Sequence, residues 1–164
     1  MLATINSDQI FEKLSLSSLA GDLTIAECQA LSGIMTERSL RDGGYLIREG
    51  ERSDALYVVT FGALEAIKRI GDHEESLAVI TPGGLAGAMG FIDEQEHSAD
   101  LRALGDTWLL EMSRADLEAE LSHNPRLVYK VMRAVVRNAH NIVRRMNDQF
   151  MQLTSYIHRQ NGRY

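Results

Sequence analysis

Between residues 35 and 112 the sequence consists of short runs with β-strand character, separated by turns that contain glycine or acidic residues. The runs cover residues 35–40, 45–47, 55–61, 63–70, 76–80, 98–104 and 107–112. Asp42-Gly43-Gly44 and Gly71-Asp72 are typical turn sequences, because glycine tolerates a positive φ and aspartate caps a turn locally. Many short strands with such turns are typical of a sandwich, a barrel or a jelly roll, and we predict one of these three architectures over residues 36–112, called the barrel segment below.

Helical patterns precede and follow this barrel segment within a chain of 164 residues, the size of one domain. Residues 1–35 are predicted to hold two short helices, the second opened by a capping box of Thr24 and Glu27. Residues 113–164 are predicted to be helical as well. Asn124-Pro125 starts a long helix there, because asparagine caps a helix and proline fits its first position. The next glycine or proline is Gly162. The predicted fold class is α+β, mainly β.

Five motifs in the barrel and its flanks resemble, in order and spacing, those of the cyclic-nucleotide-binding domain family. That family is the module shared by catabolite-activator-type regulators, kinase regulatory subunits and gated channels. The motifs are Ile47–Glu51, Leu56–Gly62, Thr81–Gly84, Gly87–Asp100 and Thr107–Leu117. The resemblance implies an eight-stranded jelly-roll barrel with short N-terminal helices and a long C-terminal helix.

The segment from Pro82 to Ala103 resembles the phosphate-binding cassette of this family. A family cassette reads Gly-Glu-Met/Leu-Ala, a short helical turn, and then Pro-Arg-Ser/Ala-Ala-Thr. The glutamate that accepts from the ribose 2'-hydroxyl falls here on Ala88, and the arginine that pairs with the cyclic phosphate falls on His97. The resemblance places the ligand-binding positions at Gly87, Ala88, Met89, His97, Ser98 and Ala99.

The two replacements in the cassette are expected to weaken nucleotide binding. Each removes a contact to a charged group worth about 1.5–3 kcal/mol, so together they lower the affinity by about 10²–10⁴-fold. Acidic residues surround His97 in the sequence, and we expect them to favour its protonated form. Weak, acid-favoured binding of a cyclic nucleotide therefore stays open as an alternative. We predict no cofactor, and no motif indicates a catalytic centre or a metal site.

The long helix carries a heptad pattern. Its apolar residues step by four and three, which is typical of a helix that packs against a second copy of itself. The predicted dimer contacts are Val128, Met132, Val135, Ala139, Ile142 and Met146. The alternative is that the helix folds back entirely onto its own domain.

A second pattern of basic residues runs along the opposite face of the same helix, and we call it the basic ridge. The basic ridge consists of Arg126, Lys130, Arg133, Arg137, His140 and Arg144. Residues 125–164 carry 8 Lys and Arg against Asp148 alone, whereas residues 1–124 carry 9 Lys and Arg against 22 Asp and Glu. The ridge is either a solvated face partly paired with the acidic barrel or a docking stripe for an acidic protein segment or nucleic acid.

The sequence contains no apolar run of membrane-spanning length and no basic and apolar leader, so we expect a cytoplasmic protein. Catabolite-activator-type regulators continue past the dimer helix into a helix-turn-helix domain. Residues 150–164 are too few for one, so we expect no sequence-specific DNA binding. We predict a non-enzymatic, homodimeric regulatory or adaptor domain with a degenerate pocket, acting through a protein partner. The alternative is a small-molecule sensor that signals through the C-terminal helix.

Overall fold

The structure is a computed structural model that describes residues 7–161. Residues 1–6 and 162–164, which include the ends of the two predicted helical segments and Gly162, lie outside the described residues. The α-helices are α1 (Ser7–Ser15), α2 (Ile25–Ser32), α3 (Ala88–Asp93), α4 (Arg114–Ala119) and α5 (Pro125–Asn161). Short 3₁₀ turns cover Ser18–Ala20 and Glu120–Ser122. Within the described part of the chain, no helix combines the length and apolar character that crossing a bilayer requires.

The strands form one antiparallel sheet, β1-β6-β3-β4 in order, with β2 added on β6 and β5 on β3. They are β1 (Thr36–Leu40), β2 (Tyr45–Ile47), β3 (Ala55–Ile70), β4 (His73–Ile80), β5 (Leu85–Ala86) and β6 (Asp100–Ser113). Strands β3 and β6 pair along most of their length, and each changes its second partner midway. The mainly β fold with short N-terminal helices and a long C-terminal helix is therefore confirmed.

The predicted number of eight strands differs from the six strands found in residues 7–161. The predicted runs 55–61 and 63–70 are one strand, β3, and the runs 98–104 and 107–112 both fall in β6. The register of the β3–β6 pair shifts on both sides of Phe61, and Gly62 adopts a φ of +74°. A Cβ at Gly62 would lie 2.5 Å from the carbonyl oxygen of Asp106, so only glycine fits where these strands bend. The strands thus bend and change partners without ending.

Two apolar clusters fill the molecule. One lies inside the sheet and contains buried Tyr57, Val59, Leu64 and Leu109. The other, which we call the helical core, joins the helices to the outer side of strands β3 and β6. The helical core includes buried Cys28, whose thiol pKa is raised by burial, so its role is packing as predicted. The helical core also contains Phe91 of α3 and Leu127 of α5, so α3 and the long helix α5 pack in the same apolar cluster.

The structure corrects the predicted dimer contacts on the first half of α5. Val128 and Val135 are buried in the helical core of their own chain, with 8% and 0% exposure, and are not available to a second copy. Met132 and Ala139 are partly buried, whereas Ile142 and Met146 are exposed. The apolar residues of α5 still follow a heptad repeat. In the first turns of the helix, however, Val128 and Val135 pack against their own domain and not against a second copy.

The basic ridge is partly paired within the chain. Asp22, just before α2, accepts hydrogen bonds from Arg133 at 2.9 Å and Arg137 at 2.6 Å, and Glu27 of α2 accepts from Lys130 at 2.5 Å. The acidic partners lie in the N-terminal helical segment and not in the barrel. These pairs favour the interpretation of the ridge as a solvated, internally paired face over the first four turns of α5.

Candidate ligand-binding cassette

The cassette is built around the short helix α3. Gly87 precedes α3 in the left-handed conformation, with φ +76°. A Cβ on Gly87 would lie 2.8 Å from the carbonyl oxygen of Ala55 and 3.1 Å from the ring of Tyr57. Glycine is thus required at this position by both its backbone angle and its close approach to β3. Glu94 ends α3 in the left-handed conformation, with φ +59°.

The six predicted ligand-binding residues do not all face one space. The methyl group of Ala88 is buried in the helical core, whereas Met89 is exposed. Ser98 is exposed and Ala99 is half-buried, at the entry to β6. The family frame of Gly87, α3 and the segment before β6 is present. Ala88, however, contributes to packing beneath α3.

His97 lies behind α3, in a different environment from the one predicted. Its ring packs against Gly90, where a Cβ would lie 2.8 Å from Nε2. Nε2 is buried and has no hydrogen-bond partner among the described residues. The main chain of His97 donates to Glu51 at 2.9 Å and accepts from Gly50 at 2.8 Å. The backbone at His97 is therefore held by the loop between β2 and β3.

The prediction that carboxylates keep His97 protonated is wrong. Burial lowers the pKa of His97 below its ordinary value, and this effect outweighs the opposing charges of Glu51 and Asp93. The imidazole is thus biased towards its neutral form. A neutral imidazole supplies no positive charge to a phosphate at the position of the family's arginine.

Basic side chains that reach the cassette are engaged by carboxylates. Arg114 pairs with Glu94, and Arg52 pairs with Glu96 at 3.7 Å. Lys68 pairs with Glu49 and donates to the carbonyl oxygen of Ser98 at 2.7 Å. Cations are thus present at the cassette, and an incoming anion has to compete with a carboxylate for each of these three.

Sequence reasoning missed several of these residues. Lys68 lies on β3, thirty positions before Ser98. The two residues meet because the β3–β6 register places Ile67 opposite Asp100. Tyr57 belongs to the family-like motif Leu56–Gly62, and the motif does not show that this residue is buried inside the sheet beside Gly87. Gly90 was visible as a glycine inside a helical segment, which often marks close packing. Among residues 7–161 no group of three or more His, Cys, Asp or Glu side chains is arranged to hold a metal ion.

Comparisons with known proteins extend this picture. The sequence profile of the cyclic nucleotide-binding domain matches residues 37–124. The cyclic AMP receptor protein of Thermus thermophilus is 32% identical over 96 residues, which cover 58% of this chain and 44% of that protein. The chain spans about half the length of the curated relatives it matches.

Two solved structures are similar over most of the chain. A cyclic nucleotide-binding domain from Methylobacillus flagellatus superimposes with a TM-score of 0.82 and 25% identity, covering 89% of this chain and 85% of that one. The N-terminal domain of a transcriptional regulator from Streptomyces coelicolor gives a TM-score of 0.70 and 31% identity, covering 84% and 94%. With its cassette frame and jelly-roll sheet, the chain belongs to the cyclic nucleotide-binding domain family.

Proposed function

We propose that this protein is a non-enzymatic regulatory or adaptor domain that does not bind cyclic AMP or cyclic GMP tightly, forms a homodimer and acts through a protein partner. One observation carries the proposal. His97, at the position of the phosphate-binding arginine, is held behind α3 with its pKa lowered by burial. The cassette keeps its shape without the positive charge that a cyclic phosphate requires.

The charged groups around the cassette disfavour tight binding of a nucleotide. The segment from Asp93 to Glu96 carries three exposed carboxylates. Arg52 and Arg114, the cations beside it, already form ion pairs with Glu96 and Glu94. A phosphate monoanion entering here must break an ion pair or remain unneutralised, and both cost binding free energy. The absence of a carboxylate at Ala88 removes the ribose contact as well.

Relatives support the regulatory role. They include a cyclic AMP receptor protein and the N-terminal domain of a transcriptional regulator. The chain matches 44% of the cyclic AMP receptor protein and 51% of an anaerobic regulatory protein from Bacillus subtilis.

A thermal-shift panel tests the proposal on nucleotides. Cyclic AMP and cyclic GMP are added at about millimolar concentration, at about pH 6 and about pH 7.5, with 5'-AMP as the matched control. We expect the melting temperature to stay within error of the ligand-free protein in every case. A rise of several degrees with either cyclic nucleotide, and not with 5'-AMP, would show that the pocket is functional.

The homodimer is proposed to form along a surface of α5, here called the dimer seam, which is exposed over most of its length; near its start Met132 also packs against the helical core. The dimer seam is Tyr129, Met132, Val136, Ala139, Val143, Met146, Phe150, Leu153 and Ile157. Its members step by three and four over 29 residues, from Tyr129 to Ile157, without a polar interruption. Every seventh residue from Tyr129 to Ile157 is between 48 and 67% exposed. An apolar line of this length on a surface helix requires a partner surface.

Sedimentation equilibrium tests the dimer. We expect a mass of about twice 18.3 kDa at micromolar concentration. A mass of one chain at all concentrations up to about 100 μM would refute the homodimer and leave the nucleotide result untouched.

The second candidate is a sensor for another small ligand. The observation that favours it is the shared packing of Phe91 and Leu127, through which a displacement of α3 reaches α5. A ligand that raises the melting temperature and changes the sedimentation profile together would favour this candidate over the adaptor.

A further inference from the structure

His97 is half-buried, and one nitrogen of its titratable ring, Nε2, lies in a buried position without a partner. Nε2 is shielded from solvent and makes no hydrogen bond to any described residue. An unpaired buried polar atom costs about 1–3 kcal/mol, so its presence calls for a physical reason. The backbone of His97 is fixed by hydrogen bonds to Gly50 and Glu51, which leaves the side chain as the part that can change position.

The ring supports the underside of α3. It packs against Gly90, and a Cβ there would lie 2.8 Å from Nε2 and 3.0 Å from the carbonyl oxygen of Ser53. The next residue, Phe91, is 2% exposed and belongs to the helical core with Leu127 of α5. The position of the His97 ring is therefore coupled to the packing of both helices.

Charged groups face His97 from the elements packed around it. Glu51 lies in the loop between β2 and β3, and Asp93 lies on α3, and both carboxylates are exposed. Arg52 of the same loop is paired with Glu96, and so contributes little net charge. A protonated ring is destabilised where it is buried and stabilised beside the two carboxylates at the surface.

We propose that His97 is a proton-operated latch on α3. In its neutral form the ring stays packed against Gly90 and holds α3 on the helical core. In its protonated form the ring moves out towards Glu51 and Asp93, and α3 loses its support. Acid thus loosens the cassette helix and, through Phe91, its packing with α5.

The direction of the pH dependence follows from the environment of the ring. Burial lowers the pKa of His97 in the folded state, so the latched form is fully populated above the ordinary histidine range. The latched form is lost as the pH falls through that lowered value. The pH response of His97 goes beyond the proposed adaptor function, because the signal is a proton and not a nucleotide. The response can be observed in the protein without any partner.

Hydrogen exchange on the 164-residue chain without nucleotide tests the latch. Protection of the α3 amides is measured at about pH 7.5 and about pH 5, and corrected for the intrinsic pH dependence of exchange. We expect protection to fall by about 10-fold or more at the lower pH in the wild type. In His97→Gln, which cannot titrate, the corrected protection should be the same at both values.

His73→Gln is the matched control, because His73 is an exposed histidine on β4. This variant should keep the wild-type pH response. Gly90→Ala displaces the ring at any pH, so its α3 protection at about pH 7.5 should resemble that of the wild type in acid.

Three results would overturn the latch. One is a wild-type α3 protection that does not change between the two pH values. Another is a His97→Gln variant that still loses protection in acid. The third is an NMR titration of the His97 ring with a midpoint above the ordinary histidine value. None of these results depends on nucleotide binding or dimerisation, so they are separable from failure of the proposed function.

Discussion

Val135 and Val136 are adjacent in sequence and lie on different sides of α5: Val135 is fully buried in the core of its own chain, whereas Val136 is 58% exposed. The long helix therefore has two apolar faces. One completes the domain, and the other, the dimer seam, is available to a second copy.

Val136→Glu is expected to prevent dimerisation without unfolding the domain. The carboxylate would enter the dimer seam, where two copies of the charge would lie in an apolar contact. Sedimentation should give a monomer, while the melting temperature measured at low concentration should change little.

Val135→Glu is the paired control for this prediction. It places a carboxylate in the helical core and should lower the free energy of unfolding by about 4 kcal/mol or more. If Val135→Glu gives a stable monomer and Val136→Glu a normal dimer, the dimer seam is assigned to the wrong face.

Gly62→Ala is expected to destabilise the sheet by about 2–4 kcal/mol. The methyl group would meet the carbonyl oxygen of Asp106 and the hydroxyl of Thr107 at 2.5 and 2.6 Å, in addition to the cost of a positive φ. Urea denaturation measures the loss. Gly71→Ala, with φ +64° and nothing within 4 Å, carries only the backbone cost and should lose about 1 kcal/mol. Equal losses in the two variants would mean that the bend at Gly62 relaxes freely.

Asp22→Asn is expected to make the protein less stable near neutral pH, and to have no effect in strong acid. Hydrogen bonds from Arg137 and Arg133 lower the pKa of the Asp22 carboxyl below its usual range. A lowered carboxyl pKa gives stability above the unfolded value of roughly 4, which is lost as the pH falls through the lower folded value. Melting temperatures of the wild type and of Asp22→Asn at several pH values show whether their difference disappears in acid. Asp72→Asn, in the exposed turn between β3 and β4, makes the same chemical change at a surface position and is the control with which Asp22→Asn is compared.

Ala88→Glu combined with His97→Arg is expected to strengthen the binding of cyclic AMP. The double change supplies a carboxylate and a guanidinium at the family's two positions, on a backbone frame whose glycine, Gly87, is already left-handed. Binding requires the new carboxylate at position 88 to turn out of the helical core. Isothermal titration calorimetry measures the gain relative to the wild type.

Ala88→Glu alone is the control for this experiment. It places a carboxylate at a methyl position in the helical core, and should lower the melting temperature without producing binding. A folded double variant with no measurable affinity would mean that His97 and Ala88 are not equivalent to the family's arginine and glutamate.

Local signals in the sequence predicted several features correctly. The capping box predicted at Thr24 is present, with Glu27 N–H donating to the Thr24 hydroxyl at 3.2 Å and Thr24 N–H donating to the Glu27 carboxylate at 2.8 Å. The start of α5 at Pro125 is also as predicted. Both depend on residues within one helical turn, so the sequence contains all the information they need.

Features that depend on contacts between distant segments were not predictable in the same way. A heptad pattern locates an apolar stripe on α5, and it does not say which turns pack on the chain's own helical core. The protonation of His97 was predicted from neighbouring acidic residues, whereas burial behind Gly90 decides it. The continuity of β3 through Gly62 likewise depends on its pairing with β6.

In the proposed homodimer, one helix completes the domain on one face and contacts the second copy on the other, so folding and association would be linked equilibria. Dissociation would leave a long apolar strip of α5 in water, and its outer turns would fray, since an unsupported helix is only marginally stable. Heating a dilute sample should then give a lower transition temperature than heating a concentrated one, as mass action requires.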